Sequence, residues 1–176
     1  MDKIAFVFSG QGDQYAGMGK EFSEKYPAAA SVYSLCDRIR PGTSALCFEG
    51  PEEALKETKN TQPCLFATEL AAAAVLAEKI GMPDAVAGFS LGEVSAAAFS
   101  GVFDWETGFR LVCRRGELMQ REAEKFDTSM AAVLKLSAET VISLCGRYPD
   151  LYPVNFNCPG QISVSGLTTQ MSSFFE

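Results

Sequence analysis

The sequence predicts an α/β protein: a core built on an open parallel sheet, followed by a small subdomain with its own sheet. Three observations carry this expectation. Short apolar runs such as Ile4 to Phe8 and "DAVAG" alternate with longer amphipathic stretches, as parallel strands alternate with crossover helices. Both runs give way to glycine-bearing turns, "SGQG" and "GFSLG". After Asp127 the order becomes strand, helix, strand, strand, helix, which matches the first five elements of a ferredoxin-like βαββαβ unit without its last strand. The expected division is therefore a core over residues 1–127 and a subdomain over residues 128–176.

Each element follows from local chemistry. Ile4 to Phe8 is continuous, apolar and partly β-branched, which suits a buried strand. Helical periodicity predicts one helix from about Met18 to Ile39, stopped by Pro41 and Gly42, and then a linker rich in turn residues. In "TKNTQPCLFATELAAAAVLAEKIG" Thr61 can cap a helix with Pro63 in its first turn, and Gly81 and Pro83 close it. "DAVAGFS" is the second strand, and "LGEVSAAAFSG" a helix that begins immediately after Ser90. "DWETGFRLVCRRGELMQREAEKF" is a long amphipathic helix with Asp104 as its cap. Beyond Asp127, "SMAAVLKL", "YPVNFN" and "QISVSG" read as strands, with helices near Ser137 to Tyr148 and over "TTQMSSFFE".

Composition narrows the function classes. With 176 residues the chain can hold one domain with a real core, or a core and a small appendage. Hydrophobic residues at 47% and charged residues at 21% set disorder aside. A formal net charge of -7 argues against nucleic acid, because phosphate binding needs a basic surface that releases counterions. The six cysteines form no C-x-x-C pair and there is no histidine, so no zinc site is expected and the thiols read as reduced. The N-terminal apolar run is too short for a signal peptide, and "ATELAAAAVLAEKIG" is too short and too charged to span a bilayer. The expectation is a cytoplasmic protein without a membrane segment.

Four stretches carry candidate chemistry. Gly88, Phe89, Ser90, Leu91 and Gly92 satisfy G-x-S-x-G between a strand and a helix, the setting of a nucleophile elbow in an α/β-hydrolase-like core. The glycines let the backbone turn sharply, and the helix N-terminus favours negative charge beside the serine. The alternative is a helix-capping serine flanked by turn glycines. "SGQGDQYAGMG" has the glycines of a phosphate loop but lacks G-K-[ST] and the G-x-G-x-x-G spacing. It could face Ser90 across a doubly wound sheet and, with the Leu91 amide, form an oxyanion hole, or it could be a structural turn. Arg115 falls within the apolar arc of the long helix, where a cation needs an anionic partner. That partner is either an internal carboxylate such as Glu93 or the carboxylate of a substrate held by the guanidinium fork. "NFNCPGQ" places Asn155, Asn157 and Gln161 around a Pro-Gly turn, which by spacing reads as a hairpin.

Together these stretches resemble the malonyl-CoA:acyl carrier protein transacylases and the related acyltransferase domains of fatty acid and polyketide synthases. "FSGQGDQYAGMG" is similar to the family's FPGQGSQ-x-x-GMG opening, "NTQPCLFA" to its TQPAL-type helix start, and "AGFSLGEVSA" to its GHSLGE-type elbow. "RRGELMQ" fits R-G-x-x-M, and "VNFNCPGQISVSG" fits N-x-N-x-PGQ-x-V-x-SG. The resemblance implies that Ser90 attacks a malonyl thioester and carries the acyl group, that the backbone amides of Gln11 and Leu91 form the oxyanion hole, and that Arg115 pairs with the malonyl carboxylate. It implies supporting places for Gln62 and Asn157. Malonyl-CoA and the phosphopantetheine thiol of acyl carrier protein would be the substrates, with no further cofactor and no metal.

Three departures stand out. Ser9 replaces the usual proline and Asp13 the usual serine. Phe89 stands where many members have histidine. The third is chemical: the family's general base is a histidine near the end of the appended subdomain, and this sequence has none. A serine hydroxyl is a weak nucleophile at neutral pH without an adjacent base, and losing the base of such a constellation costs on the order of a million-fold in turnover. The last residues, "SSFFE", put two aromatics inside a helix, so the chain is expected to be the N-terminal portion of a transacylase, with its C-terminal portion a possible separate partner chain. The expected activity is malonyl transfer through acyl-Ser90, weak in this chain alone. The alternatives are a serine hydrolase or thioesterase on the same elbow, and a non-catalytic complementing module.

Overall fold

In a computed structural model describing residues 3–175, the chain divides into two compact units, Met1–Gln120 and Arg121–Glu176. The architecture is mixed α/β. The first unit begins with β1 (Ala5–Phe8), followed by the helices α1 (Lys20–Lys25), α2 (Pro27–Ile39), α3 (Thr43–Glu49), α4 (Glu52–Lys56) and α5 (Thr58–Ile80). The strand β2 (Ala85–Gly88) and the helix α6 (Leu91–Phe99) come next, and α7 (Trp105–Ala123) runs across the division into the second unit.

β1 and β2 pair in parallel, from Ala5 with Ala85 to Phe8 with Gly88. A parallel pair needs a crossover connection, which α1 to α5 supply. Phe6 and Phe8 point the same way because strand side chains alternate, and both are buried against Phe99 of α6 at ring-centroid distances of 5.6 and 5.8 Å. Each buried phenyl ring contributes about 1.5–3 kcal/mol, so the end of β1 is pinned to α6. Their core continues through Leu65, Phe66 and Leu70 of α5 and Phe109 and Val112 of α7.

Three details differ from expectation. The single helix expected from Met18 to Ile39 is two helices, because Tyr26 precedes Pro27 and is held extended at φ -125° and ψ 118°, which breaks the helix and starts another with proline in its first turn. The expected linker folds into α3 and α4. Thr61 does not cap: α5 starts at Thr58, and Thr61 Oγ1 donates back to the carbonyls of Leu55 and Glu57. Asp104 does cap α7, since its Oδ1 accepts from the Thr107 N–H at 2.7 Å. That hydrogen bond holds the Asp104 carboxyl below the usual range.

The second unit is a three-stranded antiparallel sheet with two helices. Its elements are β3 (Thr128–Leu134), α8 (Ala138–Cys145), β4 (Leu151–Cys158), β5 (Gln161–Leu167) and α9 (Thr168–Phe175), with the sheet order β3-β5-β4. Val133, Val141, Cys145, Leu151, Ile162, Val164 and Met171 form its core, with Phe174 packed against it. Among the described residues no helix is long and apolar enough to cross a membrane.

Candidate active site

Ser90 occupies the one-residue turn between Phe89 and the start of α6, at φ 53° and ψ -99°. A non-glycine residue with positive φ is uncommon and stores strain, a feature that clusters at active sites. The turn is fixed on both sides by backbone: the Phe89 N–H donates to the Phe8 carbonyl at 3.1 Å, and the Gly92 N–H to the Phe89 carbonyl at 2.9 Å. The two glycines of the motif are steric necessities. A Cβ on Gly88 would lie 2.1 Å from the Gly92 carbonyl group, and one on Gly92 would lie 2.2 Å from the Phe8 carbonyl oxygen. The strand-to-helix packing and the turn thus require one another, and they leave Ser90 exposed with Leu91 buried beneath it.

The Gly10 loop lies against this turn. A Cβ on Gly10 would meet the Phe89 ring at 2.7 Å, so the loop backbone and that ring are in direct contact. Gln11 follows in the exposed loop, and its Nε2 donates to Thr58 Oγ1 at 3.1 Å. Thr58 in turn donates its backbone N–H to Gln120 Oε1 at 2.8 Å, which connects the loop, the start of α5 and α7. Among the described residues neither the Gln11 nor the Leu91 backbone N–H has an acceptor within the chain.

Arg115 reaches the serine from α7. Its Nη2 donates to Ser90 Oγ at 3.2 Å, and among the described residues no carboxylate, Glu93 included, pairs with it. Arg114, the preceding residue, is taken up by Glu117 at 3.2 Å. Gly116 explains how Arg115 gets so close: a Cβ there would meet the Thr58 carbonyl oxygen at 2.9 Å, so α7 lies directly on the start of α5. One turn beyond Arg115, Met119 Sδ accepts from Gln62 Nε2 at 3.2 Å. Gln62 is fully buried, and its Oε1 is without a hydrogen-bond partner among the described residues. Such an orphaned acceptor costs stability unless something fills it.

The structure therefore brings Ser90, Leu91, Gln11, Arg115 and Gln62 into one unit. Asn157 belongs to the other unit, near the end of β4, where its Nδ2 donates to Ser163 Oγ at 3.3 Å. Sequence reasoning missed Glu69. This residue of α5 accepts hydrogen bonds from Ser9 Oγ at 2.9 Å and Ser95 Oγ at 2.5 Å. Burial raises its carboxyl above the ordinary range, against the opposing pull of the two hydroxyls. No local pattern marks it, because its partners are 60 and 26 positions away.

An exposed serine hydroxyl thus stands at the start of a helix, 3.2 Å from a guanidinium that no carboxylate among the described residues pairs with.

Comparison with known proteins identifies the family. The malonyl CoA-acyl carrier protein transacylase of Bacillus subtilis (strain 168) is 39% identical over 171 residues, which are 94% of this chain and 54% of the relative. The solved malonyl CoA-acyl carrier protein transacylase of Coxiella burnetii superposes with a TM-score of 0.92 at 29% identity, covering 98% of this chain and 56% of that one. A malonyl-transacylase in complex with its type II PKS acyl-carrier protein superposes with a TM-score of 0.90 at 34% identity, over 98% of this chain and 58% of that one. The chain thus spans about half the length of the curated relatives it matches. The acyl transferase domain family matches residues 5–176, nearly the whole sequence, and this chain belongs to that family.

Proposed function

We propose that this chain accepts a malonyl group from coenzyme A on Ser90 and gives it up to the phosphopantetheine thiol of acyl carrier protein. The observation that carries the reading is the Arg115 guanidinium, 3.2 Å from Ser90 Oγ and, among the described residues, without a carboxylate of its own. A cation so placed suits the free carboxylate of a dicarboxylic acyl unit while the serine reacts at the other carbonyl. The relatives named as malonyl transacylases support the choice of malonyl and of acyl carrier protein.

In the proposed reaction Ser90 Oγ adds to the thioester carbonyl and its proton leaves to a base. The carbonyl oxygen takes the negative charge and is met by the Leu91 and Gln11 N–H groups, with the N-terminus of α6 adding its favourable field. Collapse expels coenzyme A as thiolate, which takes up a proton, and leaves malonyl-Ser90. The carrier thiol then repeats the sequence in reverse and frees the serine. Gln62 supports the wall next to Arg115 through Met119. A supporting place for Asn157 rests on the resemblance of its motif. The order β3-β5-β4, with the helices α8 and α9, supports reading residues 128–176 as a ferredoxin-like unit that follows the acyltransferase core in sequence.

The chain contains no histidine, so no imidazole of its own takes the Ser90 proton, and acylation by this chain alone is slow. Incubation with malonyl-CoA followed by intact-mass measurement tests the proposal. One malonyl adduct is expected on the protein, absent from Ser90→Ala and discharged by acyl carrier protein bearing its phosphopantetheine. Free imidazole should speed formation of the adduct in the wild type and not in the variant. An adduct on Ser90→Ala, or none on the wild type even with imidazole, contradicts the reading.

A further inference from the structure

Glu69 is an expensive residue for the middle of a buried helix. Its carboxylate lies at the margin of an apolar cavity of about 340 Å³ shared with Phe6, Phe8 and Leu76, and among the described residues no lysine or arginine pairs with it. A desolvated carboxylate is retained only where its hydrogen bonds matter. Both oxygens are engaged, one by each serine.

The two serines identify what is being held. Ser9 follows Phe8, the last residue of β1 paired with β2, and precedes Gly10 and Gln11. Ser95 lies four residues after Leu91, on the same face of α6. Glu69 therefore ties the root of the Gly10 loop to the helix that begins at Leu91. Beyond Ser9 that loop has the contact of Gly10 with the Phe89 ring and the Gln11 side-chain bond to Thr58. Serine at position 9 also leaves φ free where proline would fix it, and both the hydroxyl and the backbone N–H of Ser9 act on the Glu69 carboxylate.

We propose that Glu69 is a positioning residue: by bridging Ser9 and Ser95 it sets the distance between the Gln11 and Leu91 amides that would receive the acyl oxyanion. The proposal rests on the acyl-Ser90 reading above. Misplacing one of a pair of oxyanion donors slows the chemical step and leaves ground-state binding intact.

The test follows Ser90 acylation by malonyl-CoA under single-turnover conditions in the full chain, with hydrogen exchange on the same proteins. Ser9→Ala and Glu69→Ala should each lower the limiting acylation rate roughly ten-fold with the half-saturating malonyl-CoA concentration unchanged. The double variant should be no slower than either single variant, because one bridge is being removed twice. Glu69→Gln, which keeps an acceptor for one serine, should recover most of the rate. Exchange at residues 9–12 should quicken in both alanine variants and return in Glu69→Gln. Rate losses that multiply in the double variant, or a loss confined to half-saturation, overturn the proposal. If wild-type Ser90 takes up no acyl group, the parent reading fails, and the exchange data decide the bridge: unchanged exchange at residues 9–12 in Glu69→Ala then overturns it.

Discussion

Ser90 holds a backbone conformation that most residues avoid, at φ 53° and ψ -99°, and such strain costs on the order of 1–3 kcal/mol. Ser90→Gly should therefore stabilise the protein by about 1 kcal/mol after the added freedom of the unfolded chain is deducted, while abolishing acylation; urea unfolding measures it, and a less stable variant would contradict the assignment of strain. Glu69 makes the second prediction at this scale. Burial is the chief cause of its raised pKa, with the Ser95 and Ser9 hydroxyls opposing and the Asp13 charge adding to the rise. Because its folded-state pKa is raised, its contribution to stability is full below the unfolded value and is lost as pH climbs through the folded value. Glu69→Gln does not titrate, so the stability of the wild type relative to it should fall as pH rises above the ordinary carboxylate range; a difference that stays flat with pH counts against the half-buried carboxylate. The turn at Ser90 was legible in sequence because its motif is local, five residues between a strand and a helix, whereas the Arg115 contact comes from 25 positions away. Glu69 was not, since hydrogen bonds across 60 and 26 positions leave no periodic trace.

The junction of β2 with α6 holds the site together through backbone contact. Gly88 and Gly92 each lack room for a Cβ, with backbone atoms at 2.1 and 2.2 Å, so Gly88→Ala or Gly92→Ala should cost more than about 3 kcal/mol by forcing strand and helix apart. Chemical denaturation of either variant checks this, and a loss below about 1 kcal/mol would show that the turn can relax. Elements defined by their own capping or breaking residues were readable in advance: the Asp104 cap of α7 and the glycine end of α5 stand where the sequence puts them. The start of α5 was misplaced because Thr61 spends its hydroxyl on the carbonyls of Leu55 and Glu57, a choice made by the packing of α4 and α5. The break at Tyr26 was written in the sequence, in the proline that follows it.

Over the whole molecule, the acyl transferase resemblance in five motifs and the matches to known relatives agree on the family. The second unit exposes apolar side chains on its sheet: Met130 and Tyr152 stand in one row, with Ser165 between them, and both are more than half exposed. This face should drive concentration-dependent self-association, and Met130→Lys with Tyr152→Lys should suppress it in light scattering with little change in unfolding midpoint. The account's central claim concerns selection, that Arg115 gives Ser90 a preference for an acyl group carrying its own carboxylate. The most direct measurement offers equimolar malonyl-CoA and acetyl-CoA and reads the mass of the Ser90 peptide in wild type, Arg115→Lys and Arg115→Ala. Wild type should carry malonyl in excess, Arg115→Lys should retain part of the preference through charge without the fork, and Arg115→Ala should lose it. Equal malonyl and acetyl labelling in the wild type, or an unchanged ratio in Arg115→Ala, would contradict the account.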